Sequence, residues 1–153
     1  MALVFKAEDG QKALFDALID ARDTYGAEKH ILEDQDRNPL SYNDLIRASF
    51  ALGRKIAAMT QPGENVGVLL PSGSAAVVTF FALHAFGRVP TMLNFTAGLR
   101  NLKAACKLAK VKRVLTAHKF IELGNLHDIV DALGAQAAIN YLEHVRGTIG
   151  LGD

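Results

Sequence analysis

The sequence predicts an α/β fold in three layers: a mainly parallel sheet of about four strands, helices on both of its faces, and a small antiparallel hairpin near the N-terminus. Three observations carry that expectation. Beyond Asn65, short apolar runs alternate with stretches long enough for a helix, and the strand starts recur about every 22 to 26 residues, as in βαβ units. The runs are apolar almost throughout rather than alternating, as expected where helices cover both sheet faces. Finally, 153 residues, half of them hydrophobic, suffice for one domain with a real core, so residues 1–153 are read as a single domain.

The first helix is expected over residues 11–25. Leu14, Leu18, Ala21 and Tyr25 share one face, and Gly26 stands where a glycine cap ends a helix. Residues 30–35 and 39–42 flank the turn-forming cluster Asp36, Arg37, Asn38 and suggest the hairpin, although Pro39 weakens its second strand. Ser41 followed by Asp44 has the spacing of a capping box. The helix it opens runs to about Met59 on the stripe Leu45, Ala48, Leu52, Ile56.

The four sheet strands are expected at residues 66–70, 90–95, 112–117 and 137–142. Crossover helices fill 74–86, 99–110 and 120–133. The first of these is interrupted only by Thr79 and His84, which predicts the most buried helix of the three, closed by Gly87.

Composition excludes several classes. With 22% charged residues, 13 glycines and four prolines, the chain has no signature of disorder, collagen or low complexity. The longest uncharged stretch, residues 65–87, is cut by Pro71-Ser72-Gly73-Ser74 and does not read as a membrane span. Lys6, Glu8 and Asp9 leave no room for a secretory signal, and the single Cys106 has no internal disulfide partner. Both point to the cytoplasm.

Net charge is +1, but it is sorted along the chain. Residues 1–64 carry about −3, residues 65–121 carry eight basic and no acidic residues, and residues 122–153 carry about −4. Within the basic block Arg100, Lys103, Lys107 and Lys110 recur at spacings of three, four and three, lining one side of a helix whose other side is apolar. Lys112, Arg113 and Lys119 follow. An acidic protein, an anionic membrane surface or a phosphate fits such a patch; a solvated face balanced by the acidic N-terminal half is the alternative. Nucleic acid is not expected, because no aromatic residues interleave the cations.

Ligands of such sheets bind beyond the carboxyl ends of the strands. There the sequence offers Ser72, Gly73 and Ser74, then Asn94, Thr96 and Gly98, each group read first as helix capping and second as an anion cradle. None of the four serines lies in G-x-S-x-G. Cys106 falls on the apolar stripe of its helix and reads as a packing residue, and His84 as a core histidine. His127, Asp128 and Asp131 read as a solvated face. No His has an acid five positions later, so the H-x4-D pattern of glycerolipid acyltransferases is missing, and no metal-ligand spacing is present. No catalytic, cofactor-binding or metal-binding residue is assigned.

In order and spacing, LSYNDLIRASFALGRKI and NVGVLLPSGSAAVVTFFALHAFGRVPTMLNF resemble the opening blocks of the AMP-forming, adenylate-making enzymes. Within that superfamily, residues 92–122 and YLEHVR at 141–146 are most similar to the synthetase half of the bifunctional acyl-acyl-carrier-protein synthetase / 2-acylglycerophosphoethanolamine acyltransferase family. The resemblance implies a parent enzyme that uses ATP and Mg²⁺ to convert a fatty acid to an acyl-adenylate. That enzyme then passes the acyl group to a carrier-protein thiol, or to CoA, for phospholipid acyl chains at the inner face of a membrane.

It also implies that the phosphate loop, the Mg²⁺-coordinating glutamate, the adenine-binding motifs and the catalytic lysine lie beyond Asp153. The segment is therefore expected to be an N-terminal subdomain that binds neither ATP nor Mg²⁺ and is inactive alone. It would partner the remainder of the synthetase and self-associate through the apolar face left uncovered. The competing expectation is a free-standing flavodoxin-like module binding an acidic protein or a nucleotide. A dinucleotide binder is disfavoured, since the turn after Leu70 lacks the glycine fingerprint.

Overall fold

The computed structural model describes residues 7–34 and 37–147. After a 3₁₀ turn (Ala7–Gln11) come helix α1 (Leu14–Tyr25), strands β1 (His30–Leu32) and β2 (Leu40–Ser41), and helix α2 (Tyr42–Ala57). The α/β part follows as β3 (Asn65–Val68), α3 (Ser74–Ala85), β4 (Val89–Met92), a 3₁₀ turn (Phe95–Ala97), α4 (Leu99–Leu108), β5 (Arg113–Thr116), α5 (His118–Gly124), α6 (His127–Gly134), β6 (Ala138–Tyr141) and α7 (Leu142–Gly147). All three strand pairings in the sheet are parallel, and the spatial order is β4-β3-β5-β6. The antiparallel β1/β2 pair forms the expected hairpin; Gln35 and Asp36, in its connecting segment, lie outside the described residues.

Val66, Val68, Leu70 and Leu115 face a layer made by α1, α2, α3 and α7. Leu69 and Val114 face the other layer, made by α4, α5 and α6. The chain thus steps one way across the sheet with α3 on one face, then back the other way with α4, α5 and α6 on the opposite face. All crossovers therefore share one hand, as the right-handed rule requires.

Local chemistry explains the boundaries. Ser41 Oγ accepts from the Asp44 N–H at 3.2 Å while Asp44 Oδ2 accepts from the Ser41 N–H at 3.0 Å, so the capping box opening α2 is complete. The Ser41 hydroxyl beside it, then the Ser41 N–H, holds the Asp44 carboxyl below the usual carboxylate range. Gly26 (φ +100°) closes α1, and its N–H donates to the Arg22 carbonyl. Gly87 (φ +68°) follows α3, with its N–H on the His84 carbonyl. α3 has five buried residues, more than any other crossover helix.

Several expected boundaries fail: the strand expected over 90–95 ends at Met92 ahead of the 3₁₀ turn, and the helix expected over 99–110 ends at Leu108, with Lys110 left-handed (φ +52°). The helix expected over residues 120–133 is two helices, because Asn125 adopts the left-handed conformation (φ +49°) and the Leu126 N–H turns back to the Ile121 carbonyl. Leu126 then packs over Gly124, where a Cβ would lie 2.9 Å from its side chain. The apolar spacing across the break continued the helical period and hid it. The strand expected to end at Leu142 stops at Tyr141, and Leu142 instead starts α7, which returns to the α2 face through Leu142 and Val145.

α2 and α3 are in closest contact at Gly53. A Cβ there would sit 2.5 Å from the Phe86 ring and 2.6 Å from the Ala82 carbonyl oxygen, which is backbone and has little room to yield. Gly53→Ala is expected to lower stability by about 1–3 kcal/mol despite the better helix propensity of alanine. Gly10→Ala, with nothing within 4 Å of the new methyl, should change it by less than about 0.5 kcal/mol. Urea midpoints of the two variants check this.

Beneath the same contact, Arg88 is buried and has only neutral partners. Its Nε donates to Thr60 Oγ1 at 3.0 Å, and its Nη2 to the Thr60 carbonyl at 2.7 Å and the Ala57 carbonyl at 3.1 Å. Its Nη1 donates to the Phe86 carbonyl. The cation therefore satisfies orphan carbonyls at the C-terminus of α2, the negative end of the helix dipole. Arg88→Met keeps the stem but leaves those acceptors unpaired, with an expected loss of about 2–4 kcal/mol by denaturant titration.

Candidate functional site

Order β4-β3-β5-β6 with opposite crossovers from β3 and β5 places a topological switch point at the carboxyl ends of those two strands, where doubly wound sheets bind ligands. The end of the crevice is stitched shut between the strands. Thr116 is fully buried, its Oγ1 donates to the Leu69 carbonyl at 2.8 Å, and the Leu69 N–H donates to the Leu115 carbonyl at 2.9 Å.

Above this point stand the loop 71–73 and the first turn of α3. Neither Ser72 nor Ser74 caps that helix, contrary to expectation. Gly73 is the N-cap residue, in extended backbone (φ 168°), without any side-chain cap bond. Ser72 is exposed, and the Ser74 Oγ is shielded from water without a hydrogen-bond partner. Asn94 does cap, but for the 3₁₀ turn rather than α4: its Oδ1 accepts from the Thr96 N–H at 3.0 Å and the Thr96 hydroxyl at 2.7 Å. Gly98 (φ +83°) begins α4 with no side-chain cap.

Sequence reasoning missed a cluster at the same end of the sheet. His118 at the start of α5 stacks on Tyr141 at the end of β6, with ring centroids 3.6 Å apart and 4° between planes, and His144 of α7 meets the His118 ring edge-on at 5.0 Å. The His118 N–H donates to Glu143 Oε1 at 2.9 Å. Three residues from three elements meet only because β5 and β6 are register-paired, Thr116 against Tyr141. His118 stands 23 residues before Tyr141, so no local spacing in the sequence announced the cluster.

A cleft of about 480 Å³ opens between α2 and α3, lined by Ala48, Leu52, Ser74 and Val78, with Asp34 and Arg146 at its polar side. Among the described residues no three His, Cys, Asp or Glu side chains come together to hold a metal ion. The donors at the carboxyl ends of the strands, mostly hydroxyls and imidazoles with one carboxylate already bonded, do not fit a Mg²⁺–triphosphate site. No reaction step is derived from them.

Cys106 is buried in the α4 layer, and that burial pushes its thiol pKa up, which suits packing and not nucleophilic chemistry. His84 is half-buried against the Phe80 ring at 4.6 Å, and burial pulls its pKa below the ordinary 6.5. His127, Asp128 and Asp131 are exposed as expected, with His127 Nε2 3.4 Å from Glu122 Oε2.

Arg100, Lys103, Lys107 and Lys110 are all exposed on the outer side of α4 and just past its end. The ion pairs of the described residues include none of them. The acidic N-terminal half, offered above as a neutralising neighbour, packs on the opposite face of the sheet with α1 and α2. The fold therefore divides the seven cations of residues 100–119. Lys112 continues the patch, whereas Arg113 turns to the α2 face and binds Asn140 Oδ1 at 2.8 Å and the Met59 carbonyl at 3.0 Å. Lys119 lies at the carboxyl end of the sheet in α5.

A doubly wound αβ subdomain with its switch point at β3/β5 is thus defined. Residues 19–149 match the AMP-binding enzyme family, and the chain belongs to that family. Its fold is that found within the N-terminal subdomain of adenylate-forming enzymes. It superposes on the Klebsiella oxytoca NpsA N-terminal subdomain with a TM-score of 0.71 at 14% identity, covering 90% of this chain and 33% of that one. Against O-succinylbenzoate coenzyme A synthetase (MenE) from Bacillus subtilis in complex with AMP, the TM-score is 0.72 at 15% identity, over 85% of this chain and 32% of that one. MatB from Rhodopseudomonas palustris gives 0.69 at 21% identity, over 89% and 28%. The chain spans about a third of the length of these relatives.

The His84 environment gives a pH prediction. Its folded pKa is depressed, so the unfolded chain binds more protons as pH falls through 6.5, and stability falls with it. His84→Gln is expected to flatten the loss of stability on the acid side of 6.5, read from denaturation midpoints at a series of pH values.

Proposed function

We propose that this chain is the N-terminal part of a ligase that activates a fatty acid with ATP and delivers the acyl group to acyl carrier protein or to CoA, in phospholipid acyl-chain metabolism. The observation that carries the reading is the family match over residues 19–149. The finer assignment is supported by the similarity of residues 92–122 and 141–146 to acyl-acyl-carrier-protein synthetases. In the reaction, a carboxylate oxygen of the fatty acid attacks the α-phosphorus of ATP and pyrophosphate leaves. The acceptor thiolate then attacks the acyl carbon of the adenylate, and AMP leaves. Among the structural relatives, one is a coenzyme A synthetase and another is an artificially fused adenylation–PCP di-domain.

The part played by residues 1–153 is structural. Its parallel sheet and flanking helices buttress the acyl-binding wall of the complete enzyme, and the segment alone is inactive. Adenylation requires cationic compensation of the α-phosphate as pyrophosphate departs, and the nucleotide and Mg²⁺ are held by the remainder of the synthetase. Half-exposed Val89 and Met92 on the edge strand β4 support a contact of this sheet edge with that remainder or with a second copy.

Exchange of labelled pyrophosphate into ATP tests the reading. The 153-residue chain should give none with medium- or long-chain fatty acids, and the whole parent enzyme should give fatty-acid-dependent exchange. Exchange by the short chain overturns its inactivity. A parent that exchanges with no fatty acid overturns the substrate assignment.

A further inference from the structure

We propose that the outer face of α4, continued through Lys110 and Lys112, is a docking surface for an acidic helical segment of a partner protein. The proposal stands on this face alone and holds whichever acid the parent activates. Its first ground is unspent charge: Arg100, Lys103, Lys107, Lys110 and Lys112 are exposed and outside every ion pair of the described residues. Like charges on one helix face repel, which the isolated chain leaves unrelieved.

The second ground is shape. Beside the last turn of α4 lies a depression of about 420 Å³, with Cys106 and Val111 in its lining and Lys107, Lys110, Lys112 and Gln136 around them. Leu108, 84% exposed, stands on the same turn. Lysine stems thus frame apolar surface, the setting for an apolar side chain ringed by carboxylates.

Extent and borders select the partner. Residues 100–108 rise about 12 Å along the helix, and Lys110 and Lys112 continue the row beyond its end, so a single phosphate reaches only part of the row and leaves Arg100 and Lys103 unused. A planar anionic membrane is disfavoured because α4 packs against α6, which carries the exposed acids Asp128 and Asp131. Cations spaced three, four and three along this face accept a helix with glutamates at the matching spacing.

The probe is a fluorescent amphipathic peptide with glutamates at that spacing flanking a leucine, titrated into the 153-residue chain and followed by anisotropy. Saturable binding that weakens with rising salt is expected. K103E/K107E should weaken it by about tenfold or more and bind the lysine-for-glutamate peptide instead, while K29E/R47E, the same charge change on the other side of the sheet, should stay within about twofold. Amide chemical-shift changes in the unaltered chain should localise to α4 and residues 110–112, which keeps the test valid if the double variant misfolds. Absence of saturable binding at low salt, binding unchanged by K103E/K107E, or shifts elsewhere would overturn the proposal. So would capture by phosphatidylglycerol vesicles, lost in K103E/K107E, without peptide binding.

Discussion

The structure depends on burying one strand from both sides. β3 is the second strand of the sheet but the first in sequence, and Val66 and Val68 are almost wholly inaccessible beneath the α2/α3 layer. On the reverse face Gly67 has no side chain, and a Cβ there would meet Val114, Leu93 and Val111 at 3.0–3.2 Å. The missing atom lets the α4–β5 turn lie directly on the strand. The two neighbours of β3 are reached by crossovers on opposite faces, so the same strand that anchors both cores also defines the crevice at its carboxyl end. Packing and site position are one constraint.

The helix layers lock onto that strand by polar as well as apolar means. Arg88 ties the end of α3 to the end of α2, Asn65 Nδ2 reaches the Ala109 carbonyl at the end of α4 at 2.7 Å, and Arg113 joins β5 to the turn after α2. Each side chain satisfies carbonyls that a helix terminus leaves open. Glycine at position 53 allows α2 and α3 to approach until backbone touches ring, and this closeness is what brings the Arg88 guanidinium within reach of Ala57 and Thr60.

What the sequence made legible was whatever is periodic or adjacent. The apolar runs, the Ser41/Asp44 box and the glycines after α1 and α3 are local signals, and each element they mark is present within a few residues. Asn125 was illegible because a left-handed residue is set by how Leu126 packs against Gly124, while the apolar period runs on undisturbed. The serines near α3 were misread for a related reason: capping preference is a local statistic, but the approach from β3 places Gly73 at the cap in extended backbone. The His118–Tyr141–His144 cluster needed strand register, which no spacing along the chain encodes. Arg88 looked like one cation of the basic block, and only the α2–α3 contact turns it inward.

Residues 65–121 hold eight basic residues and no acid, yet folding spends them unevenly. Arg88 and Arg113 become internal carbonyl clamps, Lys119 joins the carboxyl end of the sheet, and the remaining five gather on α4 and the turn after it. The apolar stripe Leu102, Cys106 must face Val114 and Val130 to close the second core, and this fixes the rotation of the helix. The cations point outward because the core admits no other orientation. Desolvating an ammonium group against that core would cost several kcal/mol, on the order of its burial penalty without a partner. The charged surface is therefore a consequence of the same packing that orders the sheet, and substitutions on its outer row do not touch the interior that holds α4 in place.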